Sequence, residues 1–260
     1  MRAEPAPTTI AVYHDAGSGE FTRAALLNAL AHRFEGKAVV RRIYASEICH
    51  SDAWHEGTLL LALPGGADLP YCAQLDGAGN ASIRRYLVRG GRLLGICAGA
   101  YYASARVAWE TQAPDAISGE RELACFQGTA RGSLHDLAAP YSVEHLHCTA
   151  ATQLVSEQGE PLCALYWGGP EFLPDAEATY TALLRYAGSG KLAAVSTRVG
   201  QGISVLCGVH AEVTGDQLPI EVSHFGDDSF THGMQVSAAL RAHEAQRKRA
   251  FDLLIAALEL

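Results

Sequence analysis

Cys97, His210 and Glu212 are the residues whose types and placement fit nucleophilic chemistry. Leu93, Leu94 and Ile96 form a short apolar run of the kind that makes a buried parallel strand. Cys97 ends the run, and the small residues Ala98, Gly99 and Ala100 follow. Tyr101 to Trp109 then reads as a helix. Cys97 is therefore expected on a sharp strand-to-helix turn, which lifts its side chain above the sheet edge and aims the following N–H groups at it. Gly95-Ile96-Cys97-Ala98-Gly99 has the Gly-x-nucleophile-x-Gly form of such an elbow. The positive end of a helix favours thiolate over thiol. Most free cysteines are buried apolar side chains, so the pentapeptide alone leaves both readings open.

A cysteine nucleophile wants a histidine as base and a third group to orient the ring. Ile203, Val205 and Leu206 make another buried strand, which leads through Gly208 to His210, with Glu212 two positions on. A His-x-Glu at the end of one strand can reach a cysteine at the end of another. The chain has 11 histidines, and taken singly His210 reads as a loop residue and Glu212 as a surface carboxylate. The pairing of a strand-end Cys with a strand-end His-x-Glu favours the chemical reading.

The elements that must position these residues follow from the pattern. Thr8 to Tyr13 reads as a first strand, and Phe21 to His32 as a helix that turns Ala24, Leu26, Leu27 and Leu30 inward. Between them Asp15, Gly17 and Ser18 lie at the strand's C-terminal end, where ligands of open α/β sheets bind, and they join the candidate pocket residues. Ala38 to Tyr44 and the wholly apolar Thr58 to Leu63 are further strands, the second broken by Pro64-Gly65-Gly66. Asp76 to Asn80 reads as a turn and Ala81 to Arg89 as a helix. The repeated strand-then-helix order argues for a parallel sheet. From Glu122 the texture changes. Leu123 to Phe126, Ser142 to Thr149 and Leu162 to Trp167 read as short β pieces of an antiparallel insertion or sheet extension. Thr181 to Tyr186 and Leu192 to Thr197 are further strands, and Val199-Gly-Gln-Gly202 reads as a hairpin turn. Asp216, Asp227 and Asp228 fall in an acidic loop without calcium spacing. The tail, residues 234–260, reads as one amphipathic helix that caps the domain or meets a partner.

Four motifs stand in order: Leu63-Pro-Gly-Gly66, Gly95-Ile-Cys-Ala-Gly-Ala-Tyr101, Tyr166-Trp-Gly-Gly-Pro-Glu-Phe172 and His210-Ala-Glu212. Together they resemble the class I glutamine amidotransferase-like superfamily and, more narrowly, the biotin-protein-ligase N-terminal-domain family, from about Ile10 to about Phe225. The resemblance implies a flavodoxin-like three-layer α/β sandwich with a mainly parallel central sheet and an antiparallel β extension. It implies a Cys97-His210-Glu212 triad, and an oxyanion hole from the N–H of Ala98 with that of Gly66 or Gly65. It also implies pocket walls from Tyr101, Tyr166, Gly168 and Gly169. Glutamine-hydrolysing members usually continue the elbow with Gly-His-Gln, where this chain has Ala100-Tyr101-Tyr102. That departure argues against glutamine as the substrate. The catalytic, adenylate-forming domain of a biotin ligase has no counterpart in these 260 residues. The expected function is hydrolysis or acyl transfer on a small amide or ester. The alternative is a non-catalytic small-molecule-binding or regulatory module.

Bulk properties bound the rest. At 260 residues and 48% hydrophobic, one well-buried domain spanning 1–260 is expected. The formal net charge of −8 and the lack of a basic run argue against nucleic acid as a partner. Seven cysteines without a Cys-x-x-Cys pair point to free thiols in the cytoplasm, and to neither a disulfide framework nor a zinc ribbon. The first seven residues lack the apolar core of a signal peptide, and no stretch reaches membrane-spanning length. A small-molecule ligand or substrate is expected, without cofactor or metal; a second copy or a partner protein is left open.

Overall fold

The computed structural model describes residues 8–111, 116–219 and 226–260. The reading of residues 1–7 as no signal peptide, and the part of the acidic loop at 220–225, lie outside the described residues. A nine-stranded sheet organises the chain. Its parallel half comprises β1 (Thr9–Tyr13), β2 (Val39–Ile43), β3 (Thr58–Leu63), β4 (Arg92–Ile96) and β13 (Gly202–Cys207), in the order β2-β1-β3-β4-β13. The antiparallel half continues outward from β13 through β12 (Leu192–Val199), β11 (Thr181–Tyr186) and β8 (Thr149–Ser156) to β9 (Pro161–Trp167). The sheet is thus α/β and mixed, with a parallel core and an antiparallel extension.

Alternate residues of the parallel strands feed two cores. Ile10, Val12, Leu60, Ala62, Leu94 and Ile96 pack on one face with Leu26 and Leu30 of α1 (Glu20–Arg33). Ala11, Tyr13, Leu61, Leu63 and Leu93 pack on the other with Tyr71 and Leu75 of α3 (Asp68–Leu75) and Ile83 and Leu87 of α4 (Ala78–Val88). Burial on both faces is why these strands read as unbroken apolar runs. The short helix α2 (Ala45–His50) adds Ala45 and Ile48 to the second core.

Several expectations change. Only Ala98–Ala103 is helical after the elbow (α5); Ser104–Trp109 is a strand, β5. Ser104 Oγ donates back to the Ala100 carbonyl at 2.8 Å, and β5 pairs in parallel with β7 (Phe126–Gly132). Long-range pairing therefore overrides the local helical pattern. With β6 (Ile117–Glu120) and β10 (Glu171–Pro174) these strands form a separate four-stranded sheet, β10-β7-β5-β6. In two of the expected β pieces, Leu123 to Cys125 and Ser142 to Cys148 are loop and turn, and only Phe126 and Thr149 belong to strands, β7 and β8. Residues 78–80, expected as turn, open α4. The tail is two helices, α6 (Asp227–Ala242) and α7 (Glu244–Ala256), so Asp227 and Asp228 sit in a helical first turn where acidic side chains are favoured. No helix among the described residues is long and apolar enough to cross a membrane.

Candidate active site

Register explains why residues far apart in sequence meet. In the parallel ladder Leu63 is opposite Gly95 and Ile96 is opposite Cys207. The three chain segments leaving β3, β4 and β13 therefore emerge side by side at one sheet edge. They carry Gly65 and Gly66, then Cys97, then His210 and Glu212.

Cys97 has φ 51 and ψ −107, a conformation rarely adopted by side-chain-bearing residues. Its N–H is fixed by the Cys207 carbonyl at 2.8 Å, and its own carbonyl accepts from Ala100 and Tyr101. The flanking glycines are required by space. A Cβ on Gly95 would lie 2.8 Å from the Gly99 carbonyl, and one on Gly99 would collide with the Leu63 carbonyl. The elbow is thus packed tightly against β3, and the Gly-x-Cys-x-Gly spacing has a steric cause.

His210 Nδ1 lies 2.7 Å from Glu212 Oε1, and the two side chains are 2% and 0% exposed. Burial alone would lower the imidazole pKa, but the Glu212 charge and the interaction with Cys97 raise it, to about 10. The ring also packs on Gly65, where an added Cβ would come within 2.5 Å of Cε1 and 3.4 Å of the Cys97 Cβ. His210 is held from behind by its N–H bond to the Leu165 carbonyl at 2.8 Å, a bridge that curls β9 back towards β13. The same curl brings the Trp167 carbonyl 3.6 Å from Cys97 Sγ and the Gly168 carbonyl 3.1 Å from the Tyr101 hydroxyl, which donates to it. Burial holds Tyr101 well above its ordinary pKa, so it stays a neutral donor.

Around the elbow, Gly19 N–H bonds to the Gly65 carbonyl, Ala67 N–H to the Gly17 carbonyl and Gly99 N–H to the Pro64 carbonyl. None of these bonds uses the N–H of Gly66 or Ala98. Gly66 has φ 147 and a Cβ there would collide with the Gly17 carbonyl, so only glycine fits this strand.

A cavity of about 810 Å³ opens over Cys97. Cys97, Ala98, Gly66, Tyr101, Gly168 and His210 line it. The other expected pocket residues do not. Tyr166 is 1% exposed and turned into the core, its hydroxyl bound to the Leu134 N–H and the Gly169 carbonyl. Gly169 is pressed against the Gly208 carbonyl. Trp167, between them in sequence, faces the cavity instead, since neighbours on a strand point to opposite faces. Asp15, Gly17 and Ser18 stand behind the wall. The Asp15 carboxylate accepts from Ala16 and Ala45, the Ser18 hydroxyl donates to the Asp15 carbonyl, and Ser18 bridges Gly66. They brace the Gly65-Gly66 strand, while the next residues, Gly19 to Thr22, reach the cavity.

A family model described as biotin-protein ligase, N terminal, matches residues 8–260. The chain belongs to that family. It is 34% identical over 176 residues to an uncharacterized protein of Chlamydia muridarum, a match covering 66% of this chain and 68% of the relative. It is 30% identical over 188 residues to a biotin–protein ligase of Schizosaccharomyces pombe, covering 69% of this chain and 29% of the ligase. This biotin-protein-ligase N-terminal family member therefore spans less than a third of that ligase. Among solved structures, a glutamine amidotransferase from Thermotoga maritima matches with a TM-score of 0.59 over 97% of this chain and 96% of its own, at 12% identity. The likeness shows the fold, a glutamine amidotransferase-like α/β architecture.

Sequence reasoning missed most of the cavity's walls. Phe21 and Trp167 pair at 6.2 Å between ring centroids, and Trp109 and Tyr141 at 5.5 Å. Glu20, Asp68, Ile117 and Val143 complete much of the lining. They come from six separate segments, α1, α3, β5, β6, the loop at 141–143 and β9, and no spacing rule joins them. Glu110 holds Tyr141 in place: its carboxylate accepts from the Tyr141 N–H at 3.3 Å, from Ser133 and from His135. Burial would raise the Glu110 carboxyl, but these hydrogen bonds bring it below its ordinary value.

Proposed function

We propose that this family member is a cysteine acyl-transfer enzyme, an amidohydrolase or esterase acting on a small molecule other than glutamine. The observation that carries the reading is the buried His210–Glu212 pair directed at a positive-φ cysteine on a cavity floor. A carboxylate and an imidazole removed from water are costly unless paired, and such pairs concentrate at functional sites. Cys97 attacks a carbonyl carbon, and the N–H groups of Ala98 and Gly66 receive the developing oxyanion. His210 delivers its proton to the leaving nitrogen or oxygen, and Glu212 fixes the ring by accepting from Nδ1. The neutral ring then takes a proton from water as the oxygen adds to the thioester. Loss of the acid restores sulfur and protonated imidazole. Two tyrosines after the elbow, one of them bonded to Gly168, support exclusion of glutamine.

The test is acyl-enzyme trapping. The protein is mixed with p-nitrophenyl esters and p-nitroanilides of graded acyl size, and the Cys97 peptide is weighed by mass spectrometry. Support is an acyl adduct on Cys97 with product release lost in Cys97→Ala and slowed in His210→Ala. Equal release by wild type and Cys97→Ala defeats the enzyme. A ligand whose thermal stabilisation survives Cys97→Ala would then favour a binding module.

A further inference from the structure

The cavity's chemistry goes further than its catalytic floor. Five aromatic rings, those of Phe21, Tyr101, Trp109, Tyr141 and Trp167, line it together with Ile117 and Val143. Such walls and a volume of about 810 Å³ suit a drug-sized organic group. Among the described residues, the charged side chains on the lining, apart from His210, are Glu20 and Asp68, both acidic. The guanidinium beside Asp68 is fully engaged. Arg121 Nε and Nη2 both bind Asp68 Oδ2, at 2.8 and 2.6 Å, and Nη1 binds the Glu120 carbonyl at 2.8 Å. Asp68 and Arg121 are each 8% exposed, so this pair is a fixed part of the wall.

Among the described lining residues, a substrate carboxylate would meet the acid Glu20, the mutually neutralised Asp68–Arg121 pair and no free Lys or Arg. An unpaired carboxylate taken from water is strongly disfavoured. We propose that the substrate is an amide or ester of an apolar acyl group, aromatic or long aliphatic, bearing no carboxylate. This inference rests on the acyl-transfer reading. The apolar body lies against the rings while the carbonyl sits over Cys97. Sulfur forms the thioester as the C–N or C–O bond breaks, the leaving atom takes the proton from His210, and water then cleaves C–S to give the acid. The acid ionises on release. Glu20 repels the resulting carboxylate, so the same charge that disfavours anionic substrates favours release of the product.

The experiment compares p-nitrophenyl hexanoate with mono-p-nitrophenyl adipate, which has the same chain length and a terminal carboxylate, in wild type and Glu20→Lys. Glu20 is exposed at the start of α1, so the swap spares the core. The expected result is a kcat/KM at least about tenfold higher for hexanoate, with the preference cut several-fold by Glu20→Lys. Equal or better turnover of adipate in wild type overturns the apolar class while leaving a cysteine enzyme in place. A parallel arm alkylates with phenacyl bromide and with bromoacetate, reading Cys97 occupancy by mass spectrometry. Saturable, selective labelling by phenacyl bromide supports the class even if no ester turns over, in which case the enzyme reading fails alone. Faster labelling of Cys97 by bromoacetate overturns the class on binding grounds.

Discussion

Arg247, on the last helix, donates from Nη1 to the carbonyl of Ala211, the residue between His210 and Glu212. Its other nitrogens bind Glu244 at 2.6 and 2.7 Å, and the side chain is 7% exposed. The final helix thereby holds the loop that carries His210 and Glu212 by a charged hydrogen bond. Arg247→Met keeps the length and apolar stem but removes the donor. We expect a loss of about 2 kcal/mol in denaturant stability. We also expect slower iodoacetamide labelling of Cys97 under conditions where the variant is folded. Unchanged labelling with the stability loss would reduce Arg247 to a purely structural role.

The His210–Glu212 pair makes stability depend on pH in a defined direction. The folded protein holds the imidazole proton up to about 10, whereas an unfolded histidine releases it near about 6.5. A raised folded value gives stability that is complete below about 6.5 and is lost as pH climbs through about 10. Glu212→Gln removes the charge responsible. The stability gap between wild type and Glu212→Gln should therefore shrink across that alkaline window in chemical denaturation. A gap that stays constant, or widens, contradicts the pairing.

The elbow's strain can be isolated by two substitutions at one position. Cys97→Ala and Cys97→Gly both remove the thiol, but only glycine relaxes at φ 51. The glycine variant should be the more stable by about 1 kcal/mol, although glycine ordinarily costs stability relative to alanine. Thermal unfolding of the two side by side checks it. Alanine equal to or above glycine would show that the turn is not strained in solution.

How much of this was legible in the sequence depended on where the signal was local. β3, β4 and β13 are readable because both their faces are buried, and Cys97, His210 and Glu212 follow the ends of two of those runs. β5 is not, because Ala103 to Trp109 has no strong strand pattern and its partner β7 lies a loop away. Pocket residues were misjudged where adjacent positions point oppositely. Tyr166 was expected in the wall, but Trp167 holds that place. Arg121, Glu110 and Arg247 gave no cue, since each acts through a group remote in sequence.

Gly65 offers the sharpest separation of site from fold. It is not in a positive-φ conformation, so alanine is tolerated by the backbone there. The added methyl would meet the His210 ring at 2.5 Å from Cε1, with Cys97 Cβ at 3.4 Å. The nearest neighbour is the imidazole, so Gly65→Ala should push the ring away from the sulfur and leave β3 in register. The expected outcome is a thermal midpoint within a few degrees of wild type, with loss of the His210-dependent enhancement of Cys97 alkylation. Combining it with His210→Ala should then add nothing, because two changes acting through one contact are not independent. If Gly65→Ala slows labelling and His210→Ala slows it again by the same factor, the methyl acts elsewhere, and the packing of His210 against Gly65 is not what sets the pair.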